Sequence, residues 1–247
     1  MAVKKNQARQ KGQASQKPKA GQPKPAAPAE KLNVEDALSQ SEAFLIKNQK
    51  TIIGVVVGII VIVAAIVLYK NYYTIPREEK AQAALFKGQE YFEAEEYALA
   101  LNGDSIGYAG LLNVAEKFGG TDAANLSRAY AGLCYAHLGQ YEEAIKMLDK
   151  FKGGDLLVTP ALKAATGNCY AQLGQLDKGA NLLLKAAAEA NSDALSPVYY
   201  LQAGQLLMEQ GKLDEAIKAF TAITEKHSGS YLSAQAEKYI ERAKAMK

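Results

Sequence analysis

Three segments of this chain superimpose on one another: AGLCYAHLGQYEEAIKML (131–148), TGNCYAQLGQLDKGANLL (166–183) and AGQLLMEQGKLDEAIKAF (203–220), at offsets of 35 and 37 residues. A unit of this length cannot bury its apolar face alone and must stack on its neighbours, so the pattern predicts an all-α solenoid of helix-turn-helix pairs. Each shared position has a physical reason. Gly132, Gly167 and Gly204, with Ala144, Gly179 and Ala216, are small where the two helices of a pair cross. Tyr135 and Tyr170, with Leu207 in the third copy, supply large packing groups. Gly139, Gly174 and Gly211 stand where the first helix must stop in a left-handed residue, a conformation glycine adopts at least cost. Glu142 and Glu143, then Asp177, then Asp214 and Glu215 follow at once, acids suited to the positive end of the second helix. Thr159 before Pro160, and Ser196 before Pro197, predict a capping hydroxyl and a first-turn proline opening the second and third copies.

These positions resemble the tetratricopeptide (TPR) consensus, with its small, aromatic and glycine sites over about 34 residues. The three copies occupy about 126–159, 160–196 and 197–228. Residues 78–125 read as a degenerate copy interrupted by a loop around Asn102, Gly103 and Asp104, and 231–246 as a capping helix, apolar at Tyr231, Leu232, Ala236, Tyr239, Ile240 and Ala243. Together they make residues 78–247 a TPR domain. The resemblance implies a protein-binding groove built by the first helices of the pairs, lined by Tyr130, Leu133, His137, Asn168, Gln172, Leu201, Gln205 and Met208, to hold an extended or helical peptide. It implies a binding module with no cofactor rather than an enzyme. Where the TPR type that clamps chaperone C-termini has a Lys and Asn cradle, this chain has Ala129, Leu133, Leu201 and Gln205, so capture of a terminal carboxylate is not expected.

Ahead of the repeats lies Thr51 to Tyr69, TIIGVVVGIIVIVAAIVLY, without a charge. As a helix it would reach roughly 28 Å, close to the thickness of a bilayer's hydrocarbon core. It predicts one transmembrane helix over 51–69. The run begins too late, and ends without an A-x-A site, for a cleaved signal peptide. Gly54 and Gly58 form a GxxxG, a spacing that lets two membrane helices pack closely, in a homo-oligomer or on another protein's helix. Residues 1–32 are Lys, Gln, Ala, Pro and Gly without aliphatic periodicity and are expected to be a disordered basic tail. Such a tail either touches anionic lipid or ribosomal RNA, or only fixes topology; no aromatics interleave its lysines as base stacking needs, so nucleic acid is not an expected partner. Residues 33–50 predict a juxtamembrane helix capped by Asn33, with Asp36 in its first turn and a weak apolar stripe through Val34, Ala37, Leu38, Phe44 and Leu45. Residues 70–77 read as a linker.

Charge divides at the same place. Residues 1–50 carry a net +6 and residues 51–247 a net −3. The lysines beside the apolar run are evenly split, but the short tail as a whole is basic, which places the N-terminus in the cytoplasm and the repeats across the membrane. The architecture, with the phrase AEKFGGTDAANLSRAYAG, resembles bacterial single-span YfgM-like TPR proteins, ancillary to the Sec translocon. That resemblance implies an inner-membrane protein with a periplasmic TPR domain, contacting the secretion machinery, periplasmic chaperones or their clients. Two alternatives stand beside it: an adaptor with the repeats in the cytoplasm, and an envelope enzyme or cell-wall-binding factor. A catalytic triad, a P-loop, HExxH and GxSxG are all absent from the sequence. His137 and His227 have no second ligand nearby in sequence, so no metal site is expected. Cys134 and Cys169 fall at equivalent positions of adjacent repeats, too far apart for a bridge, and are expected to be two unpaired, semi-buried thiols.

Overall fold

The computed structural model describes residues 34–247. The expected tail over 1–32 and the Asn33 cap lie outside them. The chain divides into two compact units between Ile60 and Val61.

In the first unit, α1 (Val34–Lys47) is followed by the start of α2 (Gln49–Tyr69). The juxtamembrane helix of the sequence is therefore broken at Asn48, whose Nδ2 donates to the Phe44 carbonyl at 3.0 Å. Phe44, Leu45 and Ile46 are exposed, and α2 buries no residue along its length. At about 25 cal/mol for each Å² of apolar surface, so long an unpartnered helix is unfavourable in water. The helix Gln49–Glu93 is long and apolar enough to cross a membrane by length and composition.

In the second unit there is no linker. Residues 70–77 continue the helix from the end of α2, through a π-helical turn at Lys70–Thr74, into α3 (Ile75–Glu93). Pro76 explains the turn. It has no N–H for the ladder, and its ring clashes with the carbonyl four residues back; the wider π turn, closed by the Ile75 N–H on the Lys70 carbonyl, absorbs the misfit without stopping the helix.

From α3 onward the chain is a series of helix pairs. Helix α3 pairs with α4 (Tyr97–Asn102) and α5 (Leu111–Lys117), α6 (Asp122–His137) with α7 (Tyr141–Leu148), and α8 (Val158–Gln172) with α9 (Leu176–Ala190). Helix α10 (Ser196–Glu209) pairs with α11 (Leu213–Lys226), and α12 (Ser233–Ala245) closes the series. In the first pair two short helices, α4 and α5, stand on either side of the loop 103–110 and both pack on α3. The turns repeat closely. Gly139, Gly174 and Gly211 have φ of +74°, +74° and +71°, as the sequence requires. In each turn the glycine N–H bonds three residues back and the next N–H five residues back, for example Gly139 to Ala136 and Gln140 to Tyr135, which satisfies carbonyls left over at the helix end. The first copy makes the same turn with Glu95 (φ +59°).

Close crossings set the pair spacing. A Cβ on Gly204 would stand 2.3 Å from the Phe220 ring, and one on Gly132 would stand 2.6 Å from Leu148. Gly88 holds the same place in the first copy, against Tyr108 and Leu111. Phe220, Leu183, Leu111 and Leu101 are the largest buried residues of the cores so formed.

Two expected caps are replaced. Before α8, the Thr159 hydroxyl donates to Asp155, and Asp155 Oδ1 accepts the Leu157 and Val158 N–H groups at 2.9 and 2.5 Å. Ser196 opens α10 but does not cap it. Its hydroxyl is fully buried, donating to the Ala187 carbonyl at 2.7 Å, because the end of α9 has carbonyls to satisfy. The apolar face of the capping helix loses Tyr231, which precedes α12 and is 81% exposed, while Leu232, Ala236 and Ala243 are buried. Cys134 and Cys169 are free and both fully, not partly, buried.

Candidate protein-binding groove

Because each pair is antiparallel and each turn is alike, the first helices α3, α6, α8, α10 and α12 run side by side in one sense. Counting from the crossing glycine, the residue one position after it on one first helix meets the residue two positions before it on the next. Gln89 Nε2 donates to the Tyr130 hydroxyl at 3.1 Å. Leu133 and Ala165 pack on the same core cluster. Asn168 Nδ2 donates to Gln202 Oε1 at 3.5 Å, and Gln205 Nε2 donates to the Tyr239 hydroxyl at 2.8 Å. The result is a ladder of four rungs, three polar and one apolar.

The apolar rung coincides with a depression of about 270 Å³, lined by Leu133, Ala136, His137, Tyr141, Ala165, Asn168, Cys169 and Gln172. Four residues expected in the groove, Leu133, His137, Asn168 and Gln172, are thus brought together. His137 is exposed and stacked on Tyr97 with ring centroids 4.4 Å apart, an arrangement that fixes its orientation. Tyr130 is half-buried, edge-on to Phe92, and belongs to the first rung. Gln205 belongs to the last. Met208 packs on the core beneath α10, and Leu201 is itself a core residue, 9% exposed beside Ala216 and Phe220. Leu201 therefore leaves the lining: its side chain is turned into the α10–α11 pair. Gly54 and Gly58 of α2 have open space around them, with nothing within 4 Å of an added Cβ.

Sequence reasoning missed Gln89, Gln202, Tyr239 and Tyr141. The repeat offset held the signal, since Asn168 to Gln202 and Gln205 to Tyr239 are both steps of 34 residues.

The cysteines at and beneath the groove are unreactive. Cys169 sits at the floor of the depression, but burial pushes its thiol up, as burial pushes the Cys134 thiol up to about 12. Neither forms a thiolate near neutral pH. His227 lies elsewhere, buried after α11, with Nδ1 2.7 Å from Asp193 Oδ1. Among the described residues no group of three or more His, Cys, Asp or Glu side chains converges as a metal site. What the groove offers is apolar surface in one notch, flanked by amides and hydroxyls.

A helix-pair solenoid with this turn, this crossing and this face is a repeat scaffold for protein interaction. The family model for the tetratricopeptide repeat matches residues 130–153 and 199–230, within which lie α7 and α11 with their turns. The chain carries tetratricopeptide repeats there, and repeats of this kind indicate a scaffold for protein–protein interaction. Among solved structures, the crystal structure of nearly identical TPR-like repeats of a kinesin light chain from Podosopora anserina is similar at 14% identity and a TM-score of 0.48, covering 68% of this chain and 95% of that one. No curated protein matches the chain.

Proposed function

We propose that this protein is a membrane-anchored scaffold whose TPR groove binds a segment of another protein, seating an apolar side chain of that segment in the notch between Leu133 and Ala165. The observation that carries this reading is the unbroken helix Gln49–Glu93, which is both the apolar stretch and the first helix of the array. The anchor is α2, a single span in a bacterial inner membrane. The N-terminus lies in the cytoplasm, supported by the net +6 of residues 1–50, and the repeats lie in the periplasm. The partners are then components of the Sec translocon, periplasmic chaperones or secreted chains emerging from the membrane, as the resemblance to YfgM-like proteins implies. The protein acts by binding and not by catalysis.

Alkaline phosphatase and GFP fused to the C-terminus in turn test the orientation. Active phosphatase with dark GFP is expected, and the reverse pattern gives the alternative, a cytoplasmic adaptor. The groove is tested by crosslinking in solubilised membranes with Asn168→Lys and Gln172→Lys, both exposed and so compatible with the fold. Loss of the crosslinked partners is expected, and unchanged partners would remove the groove from the mechanism.

A further inference from the structure

Within the second unit, the starts of the first helices and the ends of the second helices share one edge of the array. Arg77, in the first turn of α3, donates to the carbonyl of Lys117 at the end of α5 at 2.9 Å. Its neighbour Glu78 accepts the N–H groups of Asp122 and Ala123, which open α6, at 2.9 Å each. Asn125, in the first turn of α6, exchanges two hydrogen bonds with Lys152, in the loop after α7. This chain of contacts sets the loop 151–157 level with the beginning of α3. At that same beginning the apolar residues Val61–Tyr69 enter, with no linker between.

The loop exposes apolar side chains: Leu156 is 71% exposed, Leu157 63% and Val158 42%. Asp155 is exposed and caps α8, and Lys150 and Lys152 flank the loop together with the acids Asp149 and Asp122. Tyr231, in the connection between α11 and α12, is on the same edge. The opposite edge is of another character, carrying Glu95, Glu96, Glu142, Glu143, Asp214 and Glu215 at or just after the turns. The loop's own surroundings are apolar and of mixed charge, whereas the opposite edge is the more acidic, with Lys212 paired to Asp177 and Lys247 to Asp214.

We infer that the edge carrying Leu156, Leu157 and Tyr231 rests on the lipid–water interface of the bilayer that α2 crosses, making a second membrane contact beside the span. This rests on the proposed membrane anchor. Tyr69 to Arg77 is about 12 Å of helical rise, and the headgroup layer adds roughly 5–8 Å to each side of the hydrocarbon core. Tyr72 and Tyr73, exposed on the π turn, are of the residue type that prefers that depth. The acidic edge is turned away from anionic headgroups.

The test uses the full chain carrying Leu157→Cys, labelled with the polarity-sensitive fluorophore NBD, in vesicles of phosphatidylcholine and phosphatidylglycerol. Native Cys134 and Cys169 are buried and do not compete for the label. A second protein carries the probe at Gln140→Cys, on the acidic edge. Co-flotation with vesicles reports the anchor. Shallow spin-labelled lipids are expected to lower the Leu157 probe's emission by about half and to leave the Gln140 probe unchanged, and Leu156→Glu is expected to restore the emission. Co-flotation without that quenching overturns the inference and leaves the anchor standing. A blue-shifted probe that lipid does not quench means that a second copy covers the edge, and also overturns it. Failure to co-float overturns both.

Discussion

In α10–α11 the residue that ends the first helix in left-handed geometry is Gly211, while in α3–α4 it is Glu95, and the two hydrogen bonds of the turn are the same. An L-residue pays about 1–2 kcal/mol to stand there. The first pair also carries a loop, 103–110, between α4 and α5. That loop is tightly specified: Asp104 accepts from the Tyr91 hydroxyl at 2.6 Å and from the N–H groups of Ile106 and Tyr108 at 2.9 Å, and Tyr108 reaches back to the Ala100 carbonyl. The Tyr91 hydroxyl foremost holds Asp104 below the usual carboxylate range. The comparison teaches that the turn is imposed by how the helices pack, with glycine only its least costly occupant. At the other end of α3, Arg77 and Glu78 tie it to α5 and α6.

The two pairs can be driven apart by mutation, read by denaturation of the full chain in detergent. Removing the buried ring with Phe220→Ala is expected to cost about 3–5 kcal/mol, since the cavity forms in a closed core. Gly204→Ala meets the buried Phe220 ring and Gly88→Ala the buried Tyr108 hydroxyl and Leu111, and each is expected to cost about 1–3 kcal/mol. A loss at only one of them would separate the two pairs. Exchanging the turn residues gives opposite signs: Gly211→Glu is expected to destabilise by about 1–2 kcal/mol, and Glu95→Gly to stabilise by less than about 1 kcal/mol, because glycine gains entropy in the unfolded chain. Glu78→Gln, which keeps the shape but loses the ionised acceptor at the start of α6, is expected to cost about 1 kcal/mol.

The smallest effect at neutral pH belongs to Cys134. Its thiol is raised in the folded state from the ordinary 9.0 to about 12 by burial, so its contribution to stability is complete below pH 9 and is lost as the pH rises through about 12. A thiol reagent at pH 7.5 is expected to find no reactive cysteine in the native chain and both in the unfolded one. Reaction of the native chain at the rate of the unfolded one would remove Cys134 from the core.

Much of this was legible because repeats print their geometry several times over. The spacing of Gly132 to Gly139 recurs at Gly167 to Gly174 and Gly204 to Gly211, and each instance confirms the others. The same spacing runs from Gly88 to Glu95, with Tyr91 and Ala100 in register, but the absent glycine hid the turn, and the inserted loop stretched the offset to 44 residues. Caps failed for another reason. Ser196 and Thr159 have the chemistry of caps, yet a buried hydroxyl answers to the nearest unsatisfied group, which for Ser196 was the carbonyl end of α9. Leu201 is buried because the position three before the crossing glycine is a core position in every copy, as Leu85, Ala129 and Ala164 also are. Residues 70–77 read as a linker, whereas the chain stays helical there because a π turn absorbs Pro76.

The ladder along the first helices has a kinetic meaning. Its amides and hydroxyls are uncharged and already engaged with one another, so a strand laid along them exchanges one hydrogen bond for another and gains little net enthalpy. Affinity is then drawn from the single apolar notch. A segment bound in such a groove is expected to be held loosely and to respond weakly to ionic strength.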